Sequence, residues 1–198
     1  MPESELIATI KGETVRTPKM QLGLSYHAIL EHPEPCRTLW GGYTHENLQF
    51  DPEPVDQMLE RLQPGVFEVK TTKNVAVPGA GMVTLVAKAD HLVGLHCDEF
   101  KTTLDAFDAQ KYMDSYQWRV MVLLFECVSV TYHVALLREG EERIELKSIE
   151  SLNLYPYAQL EQDVRLLLRE FVNYVNLRGL DGILRERQRI MEKVGVLS

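Results

Sequence analysis

One short part of the sequence carries two carboxylates and an amine at a spacing that suits metal-assisted chemistry. Asp90 lies in a run with strand character, and Glu99, Phe100 and Lys101 lie in the next such run. If a turn near Gly94 joins the two runs as a hairpin, Asp90 and Glu99 face each other, and facing side chains approach to about 5 Å. Glu99 and Lys101 are two residues apart on one strand and therefore share a face. We expect two carboxylates and an ammonium group to converge at one point.

Two carboxylates this close repel each other unless a cation lies between them. Oxygen ligands suit Mg²⁺ or Mn²⁺, and the backbone carbonyl of Phe100 is a further candidate ligand. The metal would supply Lewis-acid activation, and Lys101 could orient or help deprotonate an attacking water and offset charge on a pentavalent phosphorane. A solvated strand face is the alternative for Glu-x-Lys. The otherwise apolar run 86–94 around Asp90 favours the chemical interpretation.

The elements that must position these residues follow from the hydrophobic periodicity. Helical spacing predicts helices over 22–30, 55–62, 109–126 and 160–175. Strand-like runs predict strands over 67–77, 82–89, 96–103, 128–138 and 143–154. This order of helices and strands predicts a mixed α/β or α+β domain.

Taken in order, the motifs resemble those of the PD-(D/E)XK nuclease superfamily, in its RecB-like exonuclease branch. The resemblance rests on Ala-Asp-His-Leu-Val-Gly at 89–94, Asp-Glu-Phe-Lys-Thr-Thr at 98–103 and Tyr-Met-Asp-Ser-Tyr-Gln at 112–117. That branch carries an Asp at a strand end, then Asp/Glu-x-Lys-Thr, then a helix that bears a Gln. The resemblance covers roughly 40–125 and implies a restriction-endonuclease-like core, in which helices flank a central mixed β-sheet.

The resemblance also implies a role for each matching residue. Asp90 and Glu99 would hold the divalent metal, and Lys101 would be the catalytic lysine. Gln117 would match the Gln of the family's Gln-x-x-x-Tyr motif, which helps to position the substrate strand and the active site. Met121 stands in place of the motif's Tyr, which puts the contact of that Tyr in doubt but leaves the metal site intact.

An upstream histidine in a Gly-x-x-x-His motif is a further metal ligand in many exonuclease members. The Gly-Gly-Tyr-Thr-His sequence that ends at His45 matches this motif. Glu46, the next residue, could be the helix carboxylate that some members use. His27 is a rival for the ligand role, and a surface or capping histidine is the alternative interpretation of both. Thr102 and Thr103, which follow the motif lysine, are accessory candidates.

Composition limits the remaining alternatives. Three cysteines without a CxxC pair predict reduced thiols in a cytosolic protein. Cys36 resembles a cysteine that iron–sulfur relatives use, but it lacks three partners, so we expect no iron–sulfur cluster. The sequence has no apolar run near the roughly 18 residues that a membrane span needs, and its acidic start is not that of a secretory signal. The 198 residues suit one domain, with 1–40 as an N-terminal extension and 178–198 as a basic C-terminal tail.

The net charge gives no support for binding to nucleic acid. It is −8, from 29 acidic and 21 basic side chains. This charge predicts that binding to DNA is weak, sensitive to salt or assisted by a partner. Any such binding must therefore depend on a local site.

The resemblance implies a Mg²⁺- or Mn²⁺-dependent deoxyribonuclease, an exonuclease in DNA recombination, repair or replication, in the cytoplasm of a bacterium or a phage-infected host. DNA would be the substrate. Protein partners would be a single-strand-binding protein, a recombinase or another replication or recombination factor, or a second copy of the chain, and no membrane is expected. The alternative is a catalytically inactive nuclease-fold subunit that binds nucleic acid or assembles with a partner. The missing motif Tyr and the acidic surface favour this alternative, and the intact Asp/Glu-x-Lys set speaks against it.

Overall fold

The computed structural model describes residues 3–13, 15–79 and 81–193. Its helices are α1 (Glu3–Lys11), α2 (Pro18–Glu31), α3 (Pro33–Cys36), α4 (Pro52–Arg61), α5 (Ala109–Asp114), α6 (Gln117–Phe125), α7 (Leu160–Leu177) and α8 (Asp181–Lys193). Its strands are β1 (Tyr43–His45), β2 (Leu48–Phe50), β3 (Val66–Val77), β4 (Gly81–Val93), β5 (His96–Thr103), β6 (Ser129–Glu139) and β7 (Ile144–Leu154). No helix among the described residues has both the length and the apolar character needed to cross a membrane.

The strands form an open mixed sheet in the order β1-β2-β7-β6-β5-β4-β3. The pairs β1–β2, β4–β5 and β6–β7 are antiparallel, whereas β5–β6 and β2–β7 are parallel. Parallel neighbours require a crossover connection, and α5 and α6 lie in the connection between β5 and β6. The predicted α+β class, with a central mixed sheet flanked by helices, is confirmed.

Contacts divide the chain into two compact units. We call residues 17–71 and 87–157 the sheet unit, and the described residues within 1–16, 72–86 and 158–198 the terminal unit. All the candidate site residues belong to the sheet unit. The single domain predicted over 1–198 stays a prediction.

The core of the sheet unit lies between the sheet and helices α2 and α4. Its fully buried side chains include Tyr26 and Ile29 from α2, Met58 from α4, and Phe50 and Phe100 from the sheet. Helix α2 begins after Thr17, whose side chain accepts a hydrogen bond from Met20 N at 3.2 Å. Helix α2, within the predicted N-terminal extension 1–40, therefore contributes to the core of this unit.

The helix predicted over 109–126 is two helices, α5 and α6. Ser115 has an extended backbone (φ −63°, ψ 138°), and its Oγ accepts a hydrogen bond from Gln117 N at 3.2 Å. A serine side chain that binds a nearby backbone N–H competes with helix continuation and favours a new helix start. The break places Gln117 at the first position of α6.

The terminal unit has its own small core. Ile10 of α1, Val175 of α7 and Leu180 pack together, and Glu3 accepts hydrogen bonds from Tyr174 and Arg178. Part of the predicted basic tail, Asp181–Lys193, is helix α8.

The hydroxyl of Tyr26 joins α2 to α4, because it donates a buried hydrogen bond to the Pro54 carbonyl at 2.5 Å. Tyr26→Phe is expected to lower the free energy of unfolding by about 1–3 kcal/mol, since it leaves a buried carbonyl unpaired. Urea denaturation followed by circular dichroism measures this change. Tyr155→Phe, at an exposed tyrosine, is the control, and an equal effect of both substitutions would contradict the role of the hydrogen bond.

Candidate active site

The predicted hairpin brings Asp90 and Glu99 together. Strands β4 and β5 pair His91 with Asp98 and then continue to a turn at Gly94 (φ 58°). The next position in this register puts Asp90 opposite Glu99. Here side-chain bonds cross between the strands: Asp90 N donates to Glu99 Oε1 at 3.3 Å. Phe100 N donates to Asp90 Oδ2 at 2.9 Å, so the backbone of each strand fixes the carboxylate of the other.

Glu99 is the centre of a cluster that it forms with Asp90, Lys101 and Gln117. Its Oε2 accepts a hydrogen bond from Lys101 Nζ at 2.8 Å and another from Gln117 Nε2. The Glu99 side chain is 1% exposed, whereas that of Lys101 is 28% exposed. The acid is therefore held inside the protein and the ammonium group can reach solvent or a substrate. Asp90, Glu99, Lys101 and Gln117, all predicted as site residues, form one network.

Tyr132 is a neighbour of this network that sequence reasoning missed. It pairs with Glu99 in the parallel register of β5 and β6, and Lys101 Nζ lies 5.7 Å from the centroid of its ring. A cation at this distance is attracted by the ring. Only the parallel pairing of β5 with β6 identifies Tyr132, and periodicity along one strand does not reveal that pairing.

His27 of α2, rather than His45, contacts the Asp90 region. His27 Nε2 lies 2.7 Å from the Phe100 carbonyl oxygen, and Nδ1 lies 3.4 Å from Asp90 Oδ1. A doubly protonated imidazole can donate to both. His45 Nδ1 instead lies 3.2 Å from Ser25 Oγ. The role of His45 as a metal ligand stays a prediction, and His27 has the contacts expected of a residue beside the ligands.

The resemblance offered Glu46 as a helix carboxylate, but this residue lies in the turn between β1 and β2. It is exposed and has φ 50°. A two-residue hairpin turn requires positive φ, so this position forms a turn and the chain returns directly as β2.

The two carboxylates have opposite pKa shifts. Burial is the largest influence on Glu99 and raises its pKa above the ordinary value, against the attraction of Lys101. Burial is also the largest single influence on the pKa of Asp90 and raises it, but the hydrogen bond and charge of His27 and the other lowering influences together outweigh burial. Lys101 and the Phe100 N–H act in the same direction as His27, so the pKa of Asp90 is below its ordinary value. A pair of acids with separated pKa values is typical of active sites.

A cavity of about 270 Å³ opens where β5 ends. Its lining residues include Lys19, Lys111, Thr102, Thr103 and Tyr112. The cavity also contains Asp105, whose Oδ2 pairs with Lys19 Nζ at 2.8 Å. Thr102 and Thr103, the predicted accessory residues, therefore line a cavity that is rich in cationic and hydroxyl groups.

A second polar network, also missed from the sequence, lies on the other side of β5. Asp98 Oδ2 is 3.0 Å from His91 Nδ1, and Asp98 Oδ1 is 3.2 Å from His133 Nε2. His133 Nδ1 is in turn 3.1 Å from Ser151 Oγ. Because alternate residues of a strand point to opposite faces, Asp98 stabilises the packing of β4, β5, β6 and β7 and lies outside the Glu99 cluster.

The donor atoms at the cluster fit a hard divalent cation. They are the carboxylate oxygens of Asp90 and Glu99 and the carbonyl oxygen of Phe100, the ligand type that Mg²⁺ and Mn²⁺ prefer. No group of three or more His, Cys, Asp or Glu side chains within the described residues could hold a metal ion. An ion bound here would therefore keep several waters, as Mg²⁺ commonly does.

Comparisons with known proteins bear on the fold. A scan against protein-family models finds no match, and a search of curated proteins finds none either. Among solved structures, the chain is similar to SSO0001, known from a crystal structure, with a TM-score of 0.54 and 15% sequence identity. The similarity covers 87% of this chain and 68% of that one. At this identity the similarity shows a shared α+β fold and nothing about activity.

Proposed function

We propose that the chain is a Mg²⁺- or Mn²⁺-dependent deoxyribonuclease of the PD-(D/E)XK type that hydrolyses DNA phosphodiesters as an exonuclease. The observation that carries the proposal is the hydrogen-bonded network that joins Asp90, Glu99 and Lys101 of the β4–β5 hairpin to Gln117 of α6. The residues of the network match the family's motifs in order. Recombination, repair or replication is the proposed setting.

In this proposal, Asp90, Glu99 and the Phe100 carbonyl hold the divalent ion, which supplies Lewis-acid activation of the phosphoryl group and of a bound water. Lys101 extends from Glu99 toward solvent, where its ammonium group can orient the attacking water and stabilise negative charge on the phosphoryl oxygens. Gln117 donates to Glu99 and so fixes the direction of that carboxylate.

His27 positions the other half of the site. Its two ring nitrogens lie within reach of the Phe100 carbonyl and of Asp90. By fixing both groups from α2, it prevents the carboxylate and the carbonyl from turning away. A preorganised arrangement of this kind avoids reorganisation during the reaction.

The cavity at the end of β5 supports a polyanionic substrate despite the net charge of −8. Its lysine ammonium groups and threonine hydroxyls are suitable partners for a backbone phosphate. Thr102 follows Lys101 directly in β5. A phosphate bound in the cavity would therefore be a neighbour of the phosphate that reacts at Lys101.

Lys111→Ala is expected to weaken DNA binding and to reduce the slope of log K against log salt by about one, since one phosphate contact is lost. Fluorescence anisotropy of labelled DNA at several NaCl concentrations, in EDTA, measures both quantities. Lys70→Ala is the control, at a lysine of β3 that does not line the cavity. An unchanged slope in Lys111→Ala would remove the cavity from the DNA path.

The proposed activity is tested with linear single-stranded and double-stranded DNA, labelled at one end, in Mn²⁺ and in EDTA. We expect release of nucleotides from an end in Mn²⁺ and none in EDTA. Hydrolysis by both Asp90→Ala and Lys101→Ala at the wild-type rate would overturn the proposal.

The second candidate is a catalytically inactive subunit that binds nucleic acid. Met121 favours it, because its buried side chain occupies the motif position of the Tyr and provides no hydroxyl there. Calorimetric titration with Mn²⁺ separates the two functions: a nuclease of this type binds the ion, whereas a protein with no affinity for divalent metals cannot use this mechanism.

A further inference from the structure

Three aromatic side chains of the sheet unit surround the guanidinium group of Arg119. The Arg119 guanidinium carbon lies 4.7 Å from the ring centroid of Trp118, 5.0 Å from that of Tyr116 and 6.0 Å from that of Tyr157. Arg119 Nε also donates to the Tyr157 hydroxyl at 2.9 Å, and the rings of Trp118 and Tyr157 are 6.0 Å apart. We call these four residues the arginine–aromatic cluster.

Hydrogen bonds to backbone carbonyls hold the inner side chains of the cluster, Arg119 and Trp118. Arg119 Nη1 donates to the carbonyl oxygens of Asp114 and Ser115, at 3.2 and 2.7 Å. Trp118 Nε1 donates to the Met113 carbonyl at 3.1 Å. These carbonyls lie at the end of α5, so Arg119 and Trp118 both stabilise the break between α5 and α6.

The outer part of the cluster is open to solvent. Tyr116 is 38% exposed and Tyr157 is 37% exposed, whereas Trp118 is 5% exposed. The helix break accounts for Arg119 and Trp118 but gives no reason for two partly exposed tyrosine rings around the same cation. Aromatic rings with an arginine at a solvent-facing surface are typical of sites that stack nucleic-acid bases.

The cluster adjoins the candidate active site along the chain. Tyr116 precedes Gln117, whose amide donates to Glu99. In the proposal that follows, a DNA strand whose phosphate lies at Lys101 extends toward Tyr116, so that its neighbouring bases reach that ring. Bases of a duplex already stack on one another and present only their edges, so this surface can take bases only from an unpaired strand.

We propose that the arginine–aromatic cluster binds single-stranded DNA by stacking unpaired bases on Tyr116 and Tyr157, with Arg119 adding a cation beside the rings. The inference rests on the proposed nuclease function, and it names the single strand as the substrate. Stacking does not distinguish the four bases strongly, so we expect little sequence preference.

Binding of labelled oligo(dT), measured by fluorescence anisotropy in EDTA, tests the inference without hydrolysis. Tyr116→Ala and Tyr157→Ala are each expected to weaken oligo(dT) binding about 5- to 100-fold, and the corresponding Phe variants to bind within about twofold of wild type. Binding of a duplex of equal length is expected to change little. Tyr174→Ala is the matched control, because Tyr174 in the terminal unit also faces an arginine, Arg178, at 5.8 Å.

Two results would overturn the inference: folded Ala variants that bind oligo(dT) as wild type does, or equal loss of single-strand and duplex binding. Circular dichroism and thermal unfolding establish that the variants are folded, and the Phe variants test the ring without removing it. Cluster-dependent binding without any Mn²⁺-dependent hydrolysis would instead contradict only the proposed nuclease function.

Discussion

Replacing Lys101 with Ala is expected to lower kcat for DNA hydrolysis about 10³-fold, which corresponds to a barrier about 4 kcal/mol higher. The substitution removes the ammonium group 2.8 Å from Glu99 Oε2, which the proposed mechanism uses to stabilise the phosphoryl oxygens. A stopped assay with end-labelled DNA in excess Mn²⁺ measures the change. KM is expected to change much less than kcat, because the group acts mainly in the transition state.

Lys88→Ala is the matched control for Lys101→Ala. Lys88 also pairs with a glutamate, Glu68, but belongs to none of the site's networks. We expect hydrolysis by Lys88→Ala at the wild-type rate. If Lys101→Ala and Lys88→Ala lost the same small fraction of activity, Lys101 would have no specific part in the reaction.

Replacing Glu99 with Gln is expected to reduce Mn²⁺ affinity by more than the roughly 10- to 100-fold that loss of an outer-shell partner costs, and to abolish hydrolysis. The amide keeps the size of the side chain and an oxygen that can accept from Lys101 or Gln117. It removes the charge that the ion needs, and it also ends the repulsion between two buried carboxylates. The free energy of unfolding without metal is therefore expected to change by only about 1 kcal/mol.

Isothermal titration calorimetry with Mn²⁺ measures the affinity, and urea denaturation measures the stability. Glu68→Gln, which changes the glutamate of the Lys88 pair, is the control and is expected to bind Mn²⁺ as wild type does. If Glu99→Gln bound Mn²⁺ with wild-type affinity, Glu99 would not be a ligand of the ion.

The sequence predicted the parts of the site that depend on local pairing. Asp90 and Glu99 meet because a short turn at Gly94 fixes the register of one antiparallel hairpin, and turn and alternation are both local signals. The strand β5 was predicted with its observed ends, His96–Thr103. Lys101 follows from the same strand, since residues two apart share a face.

The parts that depend on distant contacts could not be predicted. His27 reaches Asp90 from a helix 63 positions earlier in the chain, and no periodicity in the sequence indicates which face of α2 packs there. Tyr132 lies beside Glu99 only because β6 pairs with β5 in parallel. The short hairpin of β1 and β2 was missed because three-residue strands contain too few alternations to be recognised.

At the break between α5 and α6, side-chain hydrogen bonds to the backbone compete with continuation of the helix, and helix propensity does not reveal this competition. The apolar spacing of 109–126 suits one continuous helix, yet Ser115 and Arg119 bind the backbone at the break. This break is also what positions Gln117 next to Glu99 and Tyr116 at the surface. The feature that departs most from the local pattern is therefore the one that organises the site.

Under the proposed function, the negative charge of the chain would limit how tightly DNA is bound. Asp90 and Glu99 would be offset by a bound cation, but most of the 29 acidic side chains remain. In the two proposals above, the lysines of the cavity and the arginine–aromatic cluster would provide local attraction for DNA on an acidic protein. We expect affinity for DNA to fall steeply with salt.

The most direct measurement is a crystal structure after soaking in Mn²⁺, with diffraction data recorded at a wavelength where manganese scatters anomalously. The nuclease mechanism predicts an anomalous peak within about 2.0–2.4 Å of oxygens of both Asp90 and Glu99, with the Phe100 carbonyl as a further ligand. A fully soaked crystal with no peak between these two carboxylates would contradict it.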